Sequence, residues 1–396
     1  MKPNSPFKRQ AVYVLIIPML LLMSCDGPDM PTYNGKNDPF PVDQEPPQLQ
    51  QVVPEAGFPG DRVTITGSGF RPHKDETIIN VGEGVADIEE ISNSEIIAYV
   101  PQNESGVTHV RAAVWGSDLW SNNLTFEYLA DFADLELTIF SPTGIAVDNS
   151  GNLFIGSEDD QAVYRIDGLD SVQTVYANLP VTGPMEFGPN GQLFVVTDEG
   201  LAAIPDGGGS HSVIVQMNAL ADFDWNANGD IYLLQGSSIS RFAGGQLEEG
   251  LGRVSMASKM RVFDGHIYVT ELFRSRVVRF EIQGGSLGDM EIFANIGTPL
   301  AGLDVDANGN VYASAYIRDY VYKIPPNYGQ EGVETEEIPN ETQRTIRATS
   351  IDDQVVDIYL HNTVMYLVQS LDSPGEIGRI WRIFIGEPAA PKPGRN

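Results

Sequence analysis

The chain has 396 residues, with 24 Lys and Arg against 54 Asp and Glu, and a formal net charge of −30. So acidic a surface repels phosphate backbones, which excludes nucleic acid as a partner, and a single cysteine excludes a disulfide framework. The length points to more than one domain.

The N-terminus carries Lys2, Lys8 and Arg9, then the apolar run AVYVLIIPMLLLM from Ala11 to Met23, with no acid before Asp26. A basic region followed by an apolar run too short to span a bilayer predicts an export leader. Leu22-Met23-Ser24-Cys25 resembles the lipobox of bacterial lipoproteins. That resemblance implies residues 1–25 as signal peptide and lipidated Cys25, a lipid anchor to a membrane, and a place in the cell envelope, at the outer membrane and exposed at the surface. The acids Asp26 and Asp29 leave the leaflet open, because they resemble either a surface-export signal or an inner-membrane retention signal. Residues 26–47 are rich in Pro, Asp and Gly without apolar periodicity, and read as a flexible linker.

From Gln48 the chain turns to short alternating segments such as RVTITGSGF, TIINVG, EIIAYVP and LTFEYL, the pattern of a small β-sandwich. GFPGDRVTITGSGF from Gly57, SEIIAYVP from Ser94 and NNLTFEY from Asn122 occur in the order found in IPT/TIG domains. The resemblance implies an immunoglobulin-like domain over 48–129, serving as a spacer or binding module. Trp115 and Trp120 could offer indoles to a sugar ring, although at least one is expected to close the sandwich core.

The remainder repeats. Copies beginning at Thr143, Gly183, Ala221, Lys259, Ala301 and Val355 share an inner strand, a turn and two further strands, and the turn glycines Gly151, Gly191, Gly229, Gly265 and Gly309 lie 40, 38, 36 and 44 residues apart. A period near forty predicts propeller blades. Six copies predict a six-bladed β-propeller over 132–386, with LELTIFSP before the first copy completing the last blade beside RIWRIFI. The fold class is therefore all-β, an immunoglobulin-like sandwich followed by a propeller. PTGIAVDNSGNLFI from Pro142 resembles NHL-type repeats. Residues 387–396 are expected to be a disordered tail.

GLDVDANGNVYASAY from Gly302 contains the D-x-D-x-N-G order that opens an EF-hand loop, but the twelfth position from Asp304 is Ala315 where a bidentate Glu is needed. The repeat reassigns Asp306, Asn308 and Gly309 to a blade turn equivalent to those at Asp148 and Asn226. Asp304 lies on an inner strand, and its column holds Ala146, Glu186, Asp224 and either Arg261 or Val262. Glu186, Asp224 and Asp304 are candidates for a divalent-cation site, calcium among the options, with Arg261 beside them, and such a site resembles the channel of SMP-30-type lactonases. A hydrated channel with acids solvated or paired to Arg261 explains the same column and is preferred. His211, His266 and His361 have no zinc-like spacing.

Basic residues recur in the third strands, at Arg165, Arg241, Arg279, Lys323 and Arg382, and predict ion pairs between neighbouring blades. Loops joining second and third strands carry Phe273, Arg274, Tyr316, Arg318 and Tyr320, a mixture suited to stacking on a sugar and to fixing hydroxyls or carboxylates; packing of these rings between blades is the competing account. The function expected is a lipid-anchored envelope protein that binds a glycan, as resemblance to accessory proteins of Bacteroidetes polysaccharide uptake implies. A metal-dependent lactonase or hydrolase and a protein-binding scaffold in an envelope complex are the alternatives.

Overall fold

A computed structural model describes residues 44–103, 106–130, 132–167, 172–316, 321–330, 333–338, 354–370 and 377–392. The export leader, Cys25 and nearly all of the linker lie outside the described residues, as do Arg318 and Tyr320. No described helix is long and apolar enough to cross a membrane.

The first domain is a sandwich of two sheets. One orders Gln48–Val53, Arg62–Ser68, Glu95–Tyr99 and Asp87–Ile91; the other orders Ala56–Gly57, Leu124–Tyr128, Gly106–Val114, Thr77–Val81 and Gly84–Val85. Alternation along Arg62–Ser68 turns Val63, Ile65 and Gly67 inward. Gly67 permits close approach, since a Cβ there would lie 2.3 Å from the Gln48 carbonyl oxygen. Ile65, Ile79, Ile96, Val110, Phe126 and Tyr128 fill the core. Because these side chains complete it, neither tryptophan is needed there. Contrary to expectation, Trp115 and Trp120 are 40% and 39% exposed, and the Arg111 guanidinium lies 4.3 Å from the Trp120 ring.

Among the described residues six sheets follow in ring order: four have four consecutive strands, the fourth blade has five, and the last joins three consecutive strands to one from the front of the domain. The inner strands are Pro142–Val147, Met185–Phe187, Leu220–Trp225, Ala257–Phe263, Leu300–Val305 and Gln354–His361, here blades 1 to 6. The last blade is closed by the front of the domain: Phe132–Asp134 pairs antiparallel with Arg379–Phe384 as its outer strand. Pairing continues into the expected segment, where the Leu135 amide donates to the Ile380 carbonyl and Phe140 bridges Ile377. Joining both ends in one sheet leaves no open edge at the seam.

Register imposes a repeated row across each blade. Opposite the inner-strand residues Ala146, Glu186, Asp224, Arg261, Asp304 and Tyr359 stand Phe154, Phe194, Tyr232, Tyr268, Tyr312 and Tyr366. Opposite those aromatics stand Arg165, Ala203, Arg241, Arg279, Lys323 and Arg382. Three of the basic column pair within their own blade, unlike the expected pairs between blades: Arg165 pairs with Asp167, Arg241 with Glu248, and Arg279 with Glu291. Asp167 directly follows the strand of Arg165, and Glu248 and Glu291 lie on the next strand, where a guanidinium reaches them without crossing a packed interface. Lys323 instead pairs with Glu387 at 3.1 Å.

The two domains meet through the FPGD turn of the sandwich. Phe58 is 2% exposed and stacks on Phe384, ring centroids 5.0 Å apart and planes within 5°. Arg382 lies 5.4 Å from the same ring, and the Thr363 hydroxyl donates to Asp61 at 3.3 Å.

Candidate functional site

The blade turns settle the character of the D-x-D-x-N-G segment. Gly309 has φ +81°, and its counterparts Gly151, Gly191, Gly229 and Gly265 have φ between +73° and +83°, a conformation that glycine adopts without Cβ strain. Asp306 Oδ1 accepts hydrogen bonds from the amides of Asn308 and Asn310, both at 2.9 Å. Asp148 and Asn226 accept the equivalent pairs of amides in blades 1 and 3. The segment is a side-chain-capped hairpin turn.

Inner strands bring two tiers of polar groups to the channel. The tier nearer the turns holds Glu186, Asp224, Arg261, Asp304 and Tyr359, so Arg261 rather than Val262 takes the fourth place in the predicted column. A deeper tier holds Asp222, Lys259 and Asp357, each two residues back on the same strand and therefore on the same face. Sequence reasoning followed one column and missed the second, although the period-two rule was enough to find it.

The acids tie one blade to the next through its backbone. Asp222 Oδ2 accepts from the Met260 amide at 2.7 Å, Asp224 Oδ2 from the Val262 amide at 2.6 Å, and Asp304 Oδ2 from the Leu360 amide at 2.7 Å. Cations fill the space between them. Arg261 Nη1 lies 3.1 Å from Asp222, and its Nε lies 3.5 Å from Asp304. Lys259 Nζ lies 3.3 Å from Asp357, across the position of Gly302.

Another cation arrives from the tail. Residues 387–392, expected to be disordered, pack across the turn end of blades 5 and 6: the Ala307 amide donates to the Pro388 carbonyl, the Ala389 amide to Asn362, and the Ala390 amide to Val305. Lys392, 6% exposed, places Nζ 2.9 Å from Asp304, 3.5 Å from Glu186 and 3.9 Å from the Tyr359 ring centroid. The physical reason for the difference from expectation is that the segment is held by partners far back in the chain, a blade turn and a buried carboxylate, which its local composition does not show. A cavity of about 760 Å³ opens beside it, lined in part by Trp225, Phe263, Arg261, Asp304 and Pro391.

Electrostatics follow from burial. Burial and the Glu186 carboxylate push the Asp224 carboxyl up to about 8, so it is mostly protonated at neutral pH. Burial also works to raise Asp304, yet Lys392 and Arg261 hold it below the ordinary carboxylate value. Among the described residues, no three His, Cys, Asp or Glu side chains are grouped to hold a metal ion. The acids expected to form a divalent-cation site do converge with Arg261, but their oxygens serve backbone amides, a guanidinium and an ammonium. In this arrangement they do not fit a calcium ion, which needs six to eight oxygen ligands.

The rim at the other end of the blades is different. Phe273 is 62% exposed, and the Arg274 side chain is 55% exposed with Nη1 3.9 Å from Glu271. Glu271, fully buried, also pairs with Arg276. The Leu300 amide donates to Leu272, and the Tyr316 amide to Pro299, so the loops of blades 4 and 5 are linked. Tyr316 is half-buried beside this link. The structure thus brings Phe273, Arg274 and Tyr316 to one end of adjacent blades.

Comparison with known proteins agrees with this architecture. Residues 47–128 match the IPT/TIG domain family. A search of curated proteins finds no match to the chain. An auxiliary nutrient binding protein from Bacteroides ovatus is similar over 87% of this chain and 99% of its own, at 15% identity and TM-score 0.50. A protein of unknown function from Bacteroides thetaiotaomicron is similar over 87% and 98%, at 16% identity and TM-score 0.51. The calcium-binding protein regucalcin from Agrobacterium tumefaciens is similar over 67% of this chain and 99% of its own, at 15% identity and TM-score 0.53. At these identities the likeness is one of fold, and the fold is an IPT/TIG sandwich followed by a β-propeller.

Proposed function

We propose that the protein is a ligand-binding component of the bacterial cell envelope, lipid-anchored through Cys25, and that it recognises a glycan at the propeller rim. The observation carrying this reading is the exposed pair Phe273 and Arg274. An apolar ring in water beside a guanidinium drawn toward a buried carboxylate is a platform suited to a ligand with an apolar face and polar edges. Glu271 holds Arg276 in place and attracts the Arg274 guanidinium from 3.9 Å, which lowers part of the ordering cost of binding. The fold likeness to an auxiliary nutrient binding protein supports the reading across both domains.

The lactonase alternative has less support, because Lys392 and Arg261 lie among the acids that would have to ligate the metal. The test is a glycan-array screen of the chain lacking residues 1–25, with and without calcium. Binding to a restricted set of glycans, unchanged by calcium, is expected. No glycan bound above background, or turnover of a lactone only when calcium is added, would contradict the reading.

A further inference from the structure

The channel mouth holds a group that the rim reading does not use. Lys392 follows the segment packed over the turns, and its ammonium is almost wholly buried. Carboxylates from blades 5 and 2, opposite one another in a six-membered ring, receive it at 2.9 and 3.5 Å. The Tyr359 ring of blade 6 faces it at 3.9 Å to the centroid. Two anions and a π-face around one N–H₃⁺ group form a cage for an alkylammonium ion. Glu186 is 3% exposed and its Oε1 has no hydrogen-bond donor in good geometry; the Lys392 ammonium lies 3.5 Å from it, and the Arg261 guanidinium also acts on its charge.

The segment that delivers the ammonium is lightly held. It rests on three backbone hydrogen bonds at the turns, on Asn308 donating to Glu387 at 2.7 Å, and on the ion pair between Glu387 and Lys323. The blade strands, by contrast, are held in continuous antiparallel ladders, the middle ones paired on both sides, so the tail is the first part expected to open. The adjoining cavity already reaches Pro391 and Lys392 from the turn face.

We propose that the channel mouth is a binding site for a primary alkylammonium group, which Lys392 occupies as a tethered ligand of the protein's own chain. A lysine side chain or small primary amine from outside would enter when the tail lifts. Guanidinium is disfavoured because Arg261 already lies against Asp304. A divalent cation would have to displace Lys392 and sit beside Arg261 without enough free oxygens.

Chemical rescue tests this. In the chain lacking residues 1–25, Lys392→Ala is expected to lower Tm on the order of 5 °C, because Glu186 loses its ion-pair partner and Asp304 one of its two cations. n-Propylammonium chloride should restore at least half of that loss in a saturable way, while tetramethylammonium or sodium chloride at equal ionic strength should not. An unchanged Tm, or recovery that is equal for all three salts, would overturn the proposal. The unmutated protein gives a second readout independent of the variant's folding: the Lys392 N–H₃⁺ should show a slowly exchanging nitrogen-15 resonance, and its absence under conditions that detect other buried amines would equally count against the site.

Discussion

Asp224 keeps its proton for a reason that can be measured. Its folded carboxyl is pushed up to about 8 by burial and by Glu186, against 3.8 for the free group. Between those values the folded state binds more protons than the unfolded state, so Asp224 makes stability fall as pH rises, with no further change above about 8. Asp304 acts in the opposite sense: held below 3.8 by Lys392 and Arg261 despite burial, it contributes stability above that pH and loses it on acidification. Asp224→Asn should therefore flatten the decline of Tm between pH 4 and 8 relative to the unmutated chain. A parallel curve, merely displaced, would show that Asp224 titrates normally. Asp306 has a purely structural role, accepting from Asn308, from Asn310 twice and from the Tyr312 hydroxyl while fully buried. Asp306→Ala should cost about 2–4 kcal/mol in urea unfolding, since each lost hydrogen bond is worth ~1 kcal/mol; calcium should not alter either unfolding curve. The sequence disclosed this role because the same polar position recurs at Asp148 and Asn226.

At the level of elements, a glycine every forty residues was enough to place the blade turns, because positive φ is a requirement that few other residues meet. Closure was legible for a related reason: an alternating segment with no blade of its own before it had only the last blade to join. The tail was not legible. Glu387 to Lys392 reads EPAAPK, without alternation, and its partners are turns reached only after the ring has closed. Trp115 and Trp120 misled because aromatic content favours burial, whereas this core was already filled by Phe126, Tyr128 and aliphatic side chains. Phe58 escaped notice because a motif that marks a sandwich turn gave no sign of a neighbouring domain. Phe58→Ala should cost about 3–5 kcal/mol, the usual range for a buried aromatic, and should separate a calorimetric transition into two as the domains unfold independently. A single transition shifted as a whole would mean that Phe58 does not couple them.

In the whole molecule, the two ends of the propeller have different work. Turns between first and second strands face the tail, while loops between second and third strands form the rim, because antiparallel neighbours reverse direction at each connection. The turn end is tied by backbone bonds and Lys392; the rim presents Phe273 and Arg274 to solvent. Binding at the rim should thus be insensitive to changes in the channel. The most direct measurement is glycan binding by three forms of the chain lacking residues 1–25: unmutated, Phe273→Ala with Arg274→Ala, and Lys392→Gln. The rim variant should lose affinity at least tenfold with Tm unchanged, and Lys392→Gln should bind as the unmutated chain does. Loss of binding in Lys392→Gln with full binding by the rim variant would place recognition in the channel and contradict the account.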